Sequence, residues 1–176
     1  MLKRGIYLLV VTIICTVLLT GCGNLGIEYN VGFSGLAGFG SKENENGGIA
    51  FGLTEIVNSV DELEALCNEW NNPAFNENHE KYSSELSEKI REYNEEFFAN
   101  KALIINSSLK YNSATEPRVE KLIVEEVDLI IEISLKQGTY TSIAESWLFL
   151  IEVNKTDVQD IINITIENTN REIKGE

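Results

Sequence analysis

Basic residues are scarce in this sequence. Its 176 residues include 14 Lys and Arg against 28 Asp and Glu, which gives a formal net charge of −14 at pH 7. Proteins bind nucleic acid through clustered basic side chains that neutralise phosphates, and neither a basic run nor a basic patch with interleaved aromatics is present. The same acidity disfavours peripheral binding to anionic lipid headgroups. The sequence therefore predicts that nucleic acid is not a partner.

The usual catalytic and metal-binding signatures are also missing. His79 is the only histidine, so no His-x-x-x-His pair exists, and no Cys-x-x-Cys, Gly-x-Ser-x-Gly or phosphate-loop pattern occurs. These signatures mark most metal, hydrolase and nucleotide sites. We therefore expect no catalytic residue, no cofactor, no metal site and a function that is not enzymatic.

Cys67 and His79 are close in sequence and could pair as a nucleophile and its base. Cys67, however, belongs to an apolar helical stripe with Leu63, Leu66 and Trp70 at spacings of three and four residues. A cysteine on a buried helix face is usually an inert small hydrophobe. The spacing thus favours a structural Cys67.

Carboxylates are plentiful and form two clusters. The first is at a predicted hairpin turn and the second on a predicted helix: Glu125, Glu126 and Asp128; Glu85, Glu88, Glu92, Glu95 and Glu96. Tight calcium loops also need glycine turns and carbonyl ligands, and no Asp-x-Asp-x-Asp-Gly run is present. Solvated acidic surface is the favoured interpretation. An envelope enzyme that depends on acidic residues, or its accessory subunit, is the alternative function.

The N-terminus has the three parts of an export signal. Lys3 and Arg4 are followed by an apolar stretch over 6–19 that is short for a membrane span, and Leu19-Thr20-Gly21-Cys22 ends it. This pattern resembles a bacterial lipoprotein signal. The resemblance implies that a diacylglycerol is transferred to the thiol of Cys22 and that cleavage after Gly21 makes Cys22 the first residue. An ordinary secretory signal and an uncleaved N-terminal helix are the alternatives.

The lipoprotein interpretation predicts where the protein is and how many cysteines it keeps. Membrane lipid attached to Cys22 would hold the chain at the cell membrane, on its extracytoplasmic face, because two acyl chains anchor firmly. Cys15 would leave with the signal and Cys22 would be acylated, so Cys67 would be the only free thiol. An intrachain disulfide is then excluded, and the folded part must depend on its hydrophobic core.

Changes in composition divide the chain into four predicted parts. A signal peptide over 1–21 precedes a Gly- and Asn-rich tether over 22–48, a single domain over 49–170 and a polar tail over 171–176. The tether would behave as a flexible coil. An alternative makes Tyr29 to Phe39 an interfacial or partner-docking segment, because apolar residues recur between its glycines.

Hydrophobic periodicity indicates a strand and two helices at the start of the domain. Residues 49–56 alternate as a strand does, and Ser59 and Glu62 have the spacing of a capping box before a helix. A second helix is predicted over 82–97, with a break near Asn94.

From residue 102 onward the apolar period becomes two. It predicts strands over 102–108, 118–126, 129–136, 147–153 and 162–166, of which the second and third form a hairpin and the fourth is buried on both faces. Short connections between strands favour antiparallel pairing. The predicted fold class is α+β, with N-terminal helices packed on a mainly antiparallel β-sheet.

One stretch of the sequence resembles the C-terminal domain of the PrcB family, which stabilises protease complexes. It consists of Tyr93-Asn94-Glu95-Glu96-Phe97-Phe98, followed by Lys101-Ala102-Leu103-Ile104-Ile105 and a hairpin. The resemblance covers roughly residues 93–168. It implies a non-enzymatic binding or stabilising module with an unknown protein partner, for which an envelope protease complex is one candidate.

Aromatic residues supply the remaining candidates for a site, because together they could line a groove for a sugar or a peptide; a position in the core is the favoured alternative for most of them. Four fall on predicted buried faces and are expected in the core: Trp70, Trp147, Tyr82 and Tyr93. Tyr111 and Tyr140 instead lie in polar sequence that reads as loop. Exposed loop aromatics often contact partners, so we expect Tyr111 and Tyr140 to be partner contacts.

Overall fold

A computed structural model of the chain describes residues 26–112, 116–136 and 144–171. Its strands are Tyr29–Leu36 (β1), Lys42–Glu43 (β2), Ile49–Ala50 (β3), Thr54–Val57 (β4), Lys101–Asn112 (β5), Glu116–Glu125 (β6), Asp128–Lys136 (β7), Ala144–Asn154 (β8) and Asn163–Arg171 (β9). Its α-helices are Val60–Glu69 (α1), Glu85–Arg91 (α2), Glu95–Phe98 (α3) and Lys155–Val158 (α4), with a 3-10 turn at Pro73–Phe75.

The central sheet has the order β1-β8-β5-β4 and is antiparallel throughout. In its register Tyr29 lies opposite Val153 and Leu36 lies opposite Trp147. Strand β8 is interior and has buried residues on both faces, such as Phe149 and Leu150. The prediction of a strand buried on both sides is confirmed.

A second sheet, in the order β6-β7-β9, covers one face of the central sheet. Strands β6 and β7 form the predicted hairpin, in which Glu125 pairs with Asp128 across the tip. Strand β9 runs parallel to β7, because β8 and α4 intervene and carry the chain back to its starting end. Strands β2 and β3 make a separate two-stranded ribbon.

The central sheet separates two hydrophobic cores. The first core contains Leu103 and Leu150 together with side chains from α1, α2, α3 and the irregular segments, including Phe39. The second core contains Ile104 and Ile151 together with aliphatic side chains from the second sheet. Alternate residues of β5 and β8 therefore point into opposite cores, as strand geometry requires.

The predicted α+β arrangement, with N-terminal helices packed on one antiparallel sheet, is wrong. Among the described residues, strand is more than twice as abundant as helix, and there are three sheets and four short α-helices. Helices α2 and α3 span only seven and four residues. Helices α1, α2 and α3 share the first core with irregular chain, whereas α4 contributes Val158 to the second core, which the second sheet covers. The fold is mainly β.

The predicted tether over 22–48 is wrong for Tyr29–Leu36, because these residues form an edge strand of the central sheet. Gly32 lies at a register shift in β1, and a Cβ there would be 2.2 Å from the hydroxyl oxygen of Tyr93. Glycine is needed for this close approach. The glycines that suggested flexibility here serve packing.

Local helix signals gave correct predictions. Ser59 caps α1 by accepting a hydrogen bond from Glu62 N at 3.1 Å, while the Glu62 carboxylate accepts one from Asn58 N at 2.7 Å. Asn94 breaks the second helix as predicted, and its side chain caps α3 by accepting from Phe97 N. The strand predicted over 49–56 is wrong, because β3 and β4 belong to different sheets.

Candidate functional site

The short segment Ala37 to Ser41 follows β1 and forms a ridge. Burial of one side chain and hydrogen bonds to residues 70 and 72 fix its position. Phe39 is buried in the first core, and its carbonyl oxygen accepts a hydrogen bond from the side chain of Asn72. Ser41 N donates to Trp70 O at 2.7 Å. A Cβ on Gly40 would lie 2.1 Å from the same Trp70 oxygen, so only glycine allows this approach.

A cleft of about 340 Å³ lies on one side of this ridge. We call it the Leu36–Phe51 cleft, after the two large apolar residues in its lining, which also includes Ala37, Gly38, Gly40 and Ser146. Leu36 is 51% exposed and Phe51 is 50% exposed, and the nearby Ile49 is 62% exposed. Exposed apolar side chains gathered around a cleft are typical of an interaction surface.

A second cleft of about 380 Å³ lies on the other side of the ridge, lined by polar residues of the 71–87 region. Its polar groups bind one another: Ser87 Oγ donates to Lys81 O at 2.8 Å, and Lys81 N donates to His79 Nδ1 at 3.1 Å. These bonds close the turns that lead into α2. The arrangement is therefore structural.

Cys67 and His79, the candidate nucleophile and base, have different environments. Cys67 is fully buried in the first core, and burial, with a smaller contribution from the Glu64 charge, raises its pKa to about 12. His79 is exposed and its Nδ1 already accepts a backbone hydrogen bond. A thiol with so high a pKa is a poor nucleophile.

A polar cluster centred on Glu152 lies beside β1. Glu152 accepts hydrogen bonds from Tyr93 Oη at 3.3 Å and Asn30 Nδ2 at 3.0 Å, and Lys101 Nζ is 3.6 Å from its carboxylate. Burial and the Glu152 charge raise the pKa of Tyr93 above its usual value. Each group has a partner within the cluster, so the cluster ties the edge strand to β8, β5 and the chain after α2.

The acidic clusters lie on the surface. Glu125 and Glu126 are exposed at the hairpin tip, where Glu126 has a positive φ of 56°. Asp128 accepts a hydrogen bond from Asn163 Nδ2 at 2.7 Å and thereby fixes the start of β9. Within the described ranges, no group of three or more His, Cys, Asp or Glu side chains is placed to hold a metal ion.

Two of the aromatic residues predicted to be in the core, Trp70 and Tyr93, are buried there. Tyr82 is half-buried beneath Arg91, whose guanidinium carbon lies 3.9 Å from the centroid of the Tyr82 ring. Trp147 is half-buried, and its Nε1 donates to Ser34 Oγ at 2.9 Å. The groove of aromatic side chains therefore does not form around these four residues.

The structure describes one of the two predicted partner contacts, Tyr111. Tyr111 belongs to β5, opposite Glu145 in the register, so its assignment to a loop is wrong. Tyr140 lies outside the described residues, as does Cys22. None of the described helices has both the length and the apolar character needed to cross a membrane.

Leu36, Ile49 and Phe51 are the site residues that sequence reasoning missed. The alternative of a docking segment at Tyr29 to Phe39 includes Leu36, but Ile49 and Phe51 were assigned to a half-buried strand. Alternation of apolar residues gave no sign that this side of the strand would be exposed. The signal that could have found them is the break in β-pattern at Gly52, between β3 and β4.

Comparisons with known proteins add no relative to this picture. No protein-family model, curated protein or solved structure matches the chain.

Proposed function

We propose that this chain is a lipoprotein anchored at the extracytoplasmic face of the cell membrane through a diacylglyceryl group on Cys22, and that its β-rich domain is a non-enzymatic protein-binding or stabilising module. The observation that carries the binding role is the exposed apolar Leu36–Phe51 cleft beside a rigid ridge. An envelope protease complex is one candidate partner, as the PrcB resemblance implies.

The anchoring role is supported by the order of charges and apolar residues before Cys22. Each buried methylene contributes roughly 0.8 kcal/mol, so a diacylglyceryl group with two chains holds a protein at a bilayer where one chain binds only marginally. A strongly acidic domain gains little from anionic headgroups. Attachment would therefore depend on the lipid itself.

The binding role is supported by how unevenly the exposed apolar residues are distributed. The described parts of the chain have five large exposed ones, and three of them are Leu36, Ile49 and Phe51. The ridge beside them is fixed by Asn72 and Trp70, so the surface is formed before a partner arrives. Preorganisation lowers the entropic cost of association.

Substitution of the predicted acylation site tests the anchoring role. Cys22→Ala should abolish incorporation of a radiolabelled fatty acid, leave a precursor of higher mass and release the protein from washed membranes, because no thiol remains for acylation. Cys67→Ala is the matched control, since Cys67 is buried in the domain, and it should keep the label. Label that persists on the Cys22→Ala protein would contradict a lipoprotein.

A further inference from the structure

Two large apolar side chains are exposed side by side at the tip of the β6–β7 hairpin. Val127, in the turn, is 37% exposed, and Ile162 is 76% exposed. Ile162 N donates to Val127 O at 2.7 Å, which holds the two residues together. Neither side chain is part of either hydrophobic core. We call this pair the Val127–Ile162 patch.

The chain enters the domain close to the same hairpin tip. Ile27 N donates to Leu122 O at 2.9 Å, and a Cβ on Gly26 would lie 2.8 Å from that oxygen. Leu122 is three residues before the end of β6, which is about 10 Å along a strand. Tyr29 Oη donates to Val119 O at 3.0 Å, so the chain runs from Gly26 away from the tip. Gly26 is therefore the part of this segment that lies nearest to the tip.

The length of chain between the predicted anchor and the domain limits how the domain can be oriented. Four Cα–Cα steps separate Cys22 from Gly26 and span at most about 15 Å. The hairpin tip is about 10 Å from Gly26, so it can reach a bilayer that holds the acyl chains. Leu36, at the other end of β1, lies about 23 Å beyond Tyr29. A domain with Leu36 nearest the bilayer would hold Gly26 farther away than the span allows.

Charge determines which kind of bilayer suits the patch. Glu125 and Glu126 directly precede Val127, and Asp160 lies two residues before Ile162. All three acidic residues are exposed. Anionic headgroups repel them, whereas zwitterionic headgroups have no net charge. A second copy of this chain would bring another net charge of −14 to the same acidic surface.

We propose that the Val127–Ile162 patch is the membrane-facing surface of the domain and that its two side chains insert among the headgroups of a zwitterionic bilayer when Cys22 is acylated. This inference rests on the proposed anchoring and adds the orientation of the domain. Two side chains bury much less apolar surface than two acyl chains, so the lipid supplies attachment and the patch supplies orientation. The Leu36–Phe51 cleft then lies at the end of β1 that is farther from the bilayer, where a protein partner can reach it.

Quenching by spin-labelled lipid tests this orientation. The acylated protein is labelled with a thiol-reactive dye at Val127→Cys, Ile162→Cys or Phe51→Cys and placed in phosphatidylcholine nanodiscs that contain phosphatidylcholine spin-labelled near its headgroup. The unsubstituted protein is the blank, since Cys67 is buried and should take up no dye. We expect the dyes at Val127→Cys and Ile162→Cys to lose most of their fluorescence and the dye at Phe51→Cys to lose little.

Substitutions separate contact from nearness to the anchor. The dye is now at Gln159→Cys, an exposed position three residues before Ile162. Val127→Ser combined with Ile162→Ser should abolish most of its quenching, because the apolar side chains that insert are gone. Leu36→Ser is the matched control, since Leu36 is also large and 51% exposed but lies at the other end of β1, and it should leave the quenching unchanged.

Lipid charge supplies an independent readout. Replacement of part of the phosphatidylcholine by phosphatidylglycerol should lower the quenching of the dye at Gln159→Cys, because the anionic headgroups repel the acidic tip. Glu125→Gln combined with Glu126→Gln should restore part of the lost quenching. Quenching that rises with phosphatidylglycerol would contradict a zwitterionic surface.

Three further results would overturn the proposal. Equal quenching at Val127→Cys and Phe51→Cys would show that the domain has no fixed orientation. Quenching that survives Val127→Ser with Ile162→Ser would show nearness without contact. Disulfide-linked dimers of Val127→Cys would assign the patch to a second copy. Absence of a fatty acid on Cys22 would contradict the anchoring itself, whereas an acylated protein with an unquenched dye at Val127→Cys would contradict the orientation alone.

Discussion

The two hydrophobic cores on either side of the central sheet differ in how they are built. The second core is aliphatic apart from Phe149 and half-buried aromatics, and nearly all of it comes from regular strands. The first core is richer in buried aromatics and takes side chains from helices, a 3-10 turn and irregular segments. Its irregular segments depend on side-chain to backbone bonds such as that from Asn72 to Phe39 O.

This difference separates scaffold from candidate site. Strands that pair along their length satisfy their own backbone groups, so the second core needs few polar side chains. Irregular chain lacks such partners, and Asn72 supplies one within the first core. The two clefts share Ala37, Gly38 and Gly40 of the ridge, whose Phe39 is buried in the first core. Regular strands therefore build the second core, and irregular chain of the first core forms the ridge beside the two clefts.

Removal of β1 and the ridge should have the largest effect, because they contribute to both cores. A variant that begins at Gly48 lacks Val31 of the second core and Phe39 of the first. Truncation of one buried Phe costs about 3–5 kcal/mol, and whole domains are stable by only about 5–15 kcal/mol. We expect this variant to lose its cooperative thermal transition in circular dichroism.

The control for this deletion begins at Gly26 and keeps every described residue. It should unfold cooperatively, at the temperature of the complete domain. If the two variants melted alike, β1 would contribute nothing to stability, and the segment would be a tether after all.

Asn72→Ala should have an intermediate effect that is confined to the first core. It leaves Phe39 O without its side-chain donor and Ala74 N without its acceptor, which costs about 1–3 kcal/mol. The urea midpoint should fall while the slope stays constant. Asn76→Ala is the matched control, because Asn76 is exposed and its side chain accepts a hydrogen bond from Asn78 N, and it should change stability by about 0.5 kcal/mol or less.

The smallest effect concerns the chemistry of Cys67. Burial keeps its pKa near 12 in the folded chain, against an ordinary value of 9.0, so the folded protein at pH 8 presents a thiol rather than a thiolate. We expect iodoacetamide to leave Cys67 unmodified in the folded variant that begins at Gly26, and to alkylate it fully in urea, as read by mass spectrometry. Because the folded pKa is the higher one, this group favours unfolding as pH rises from about 9 towards 12.

Rapid alkylation of Cys67 without urea would show that the first core opens readily. The contrast between a rigid sheet and an irregular but equally closed first core would then fail. A Cys67→Ala variant supplies the blank for this measurement.

Sequence reasoning succeeded where the controlling interactions are local. The Ser59 cap, the break at Asn94 and the β6–β7 hairpin each depend on residues a few positions apart. It failed for β1, whose strand character depends on β8, as the 122-residue separation of Asn30 and Glu152 shows. Glycines chosen for close packing at Gly32 look like glycines of a flexible linker when only composition is considered.

The same limit applied to the candidate site. Exposure of Leu36 and Phe51 follows from where the ridge and the β2–β3 ribbon pack, which no periodicity within either segment encodes. The second sheet was not predicted, for a related reason. Strands β7 and β9 pair in parallel, but β8, which lies between them in the sequence, belongs to the central sheet. Fold class was therefore wrong although most strands were predicted.

The pairing of β1 with β8 also determines the order in which the chain can fold. Strand β1 is made before its partner, which is synthesised only after most of the domain. Contacts between residues so far apart form slowly, because a long loop must close before they form. The growing chain must therefore hold an open strand edge until Asn154 has emerged, and β1 is among the last segments to become native.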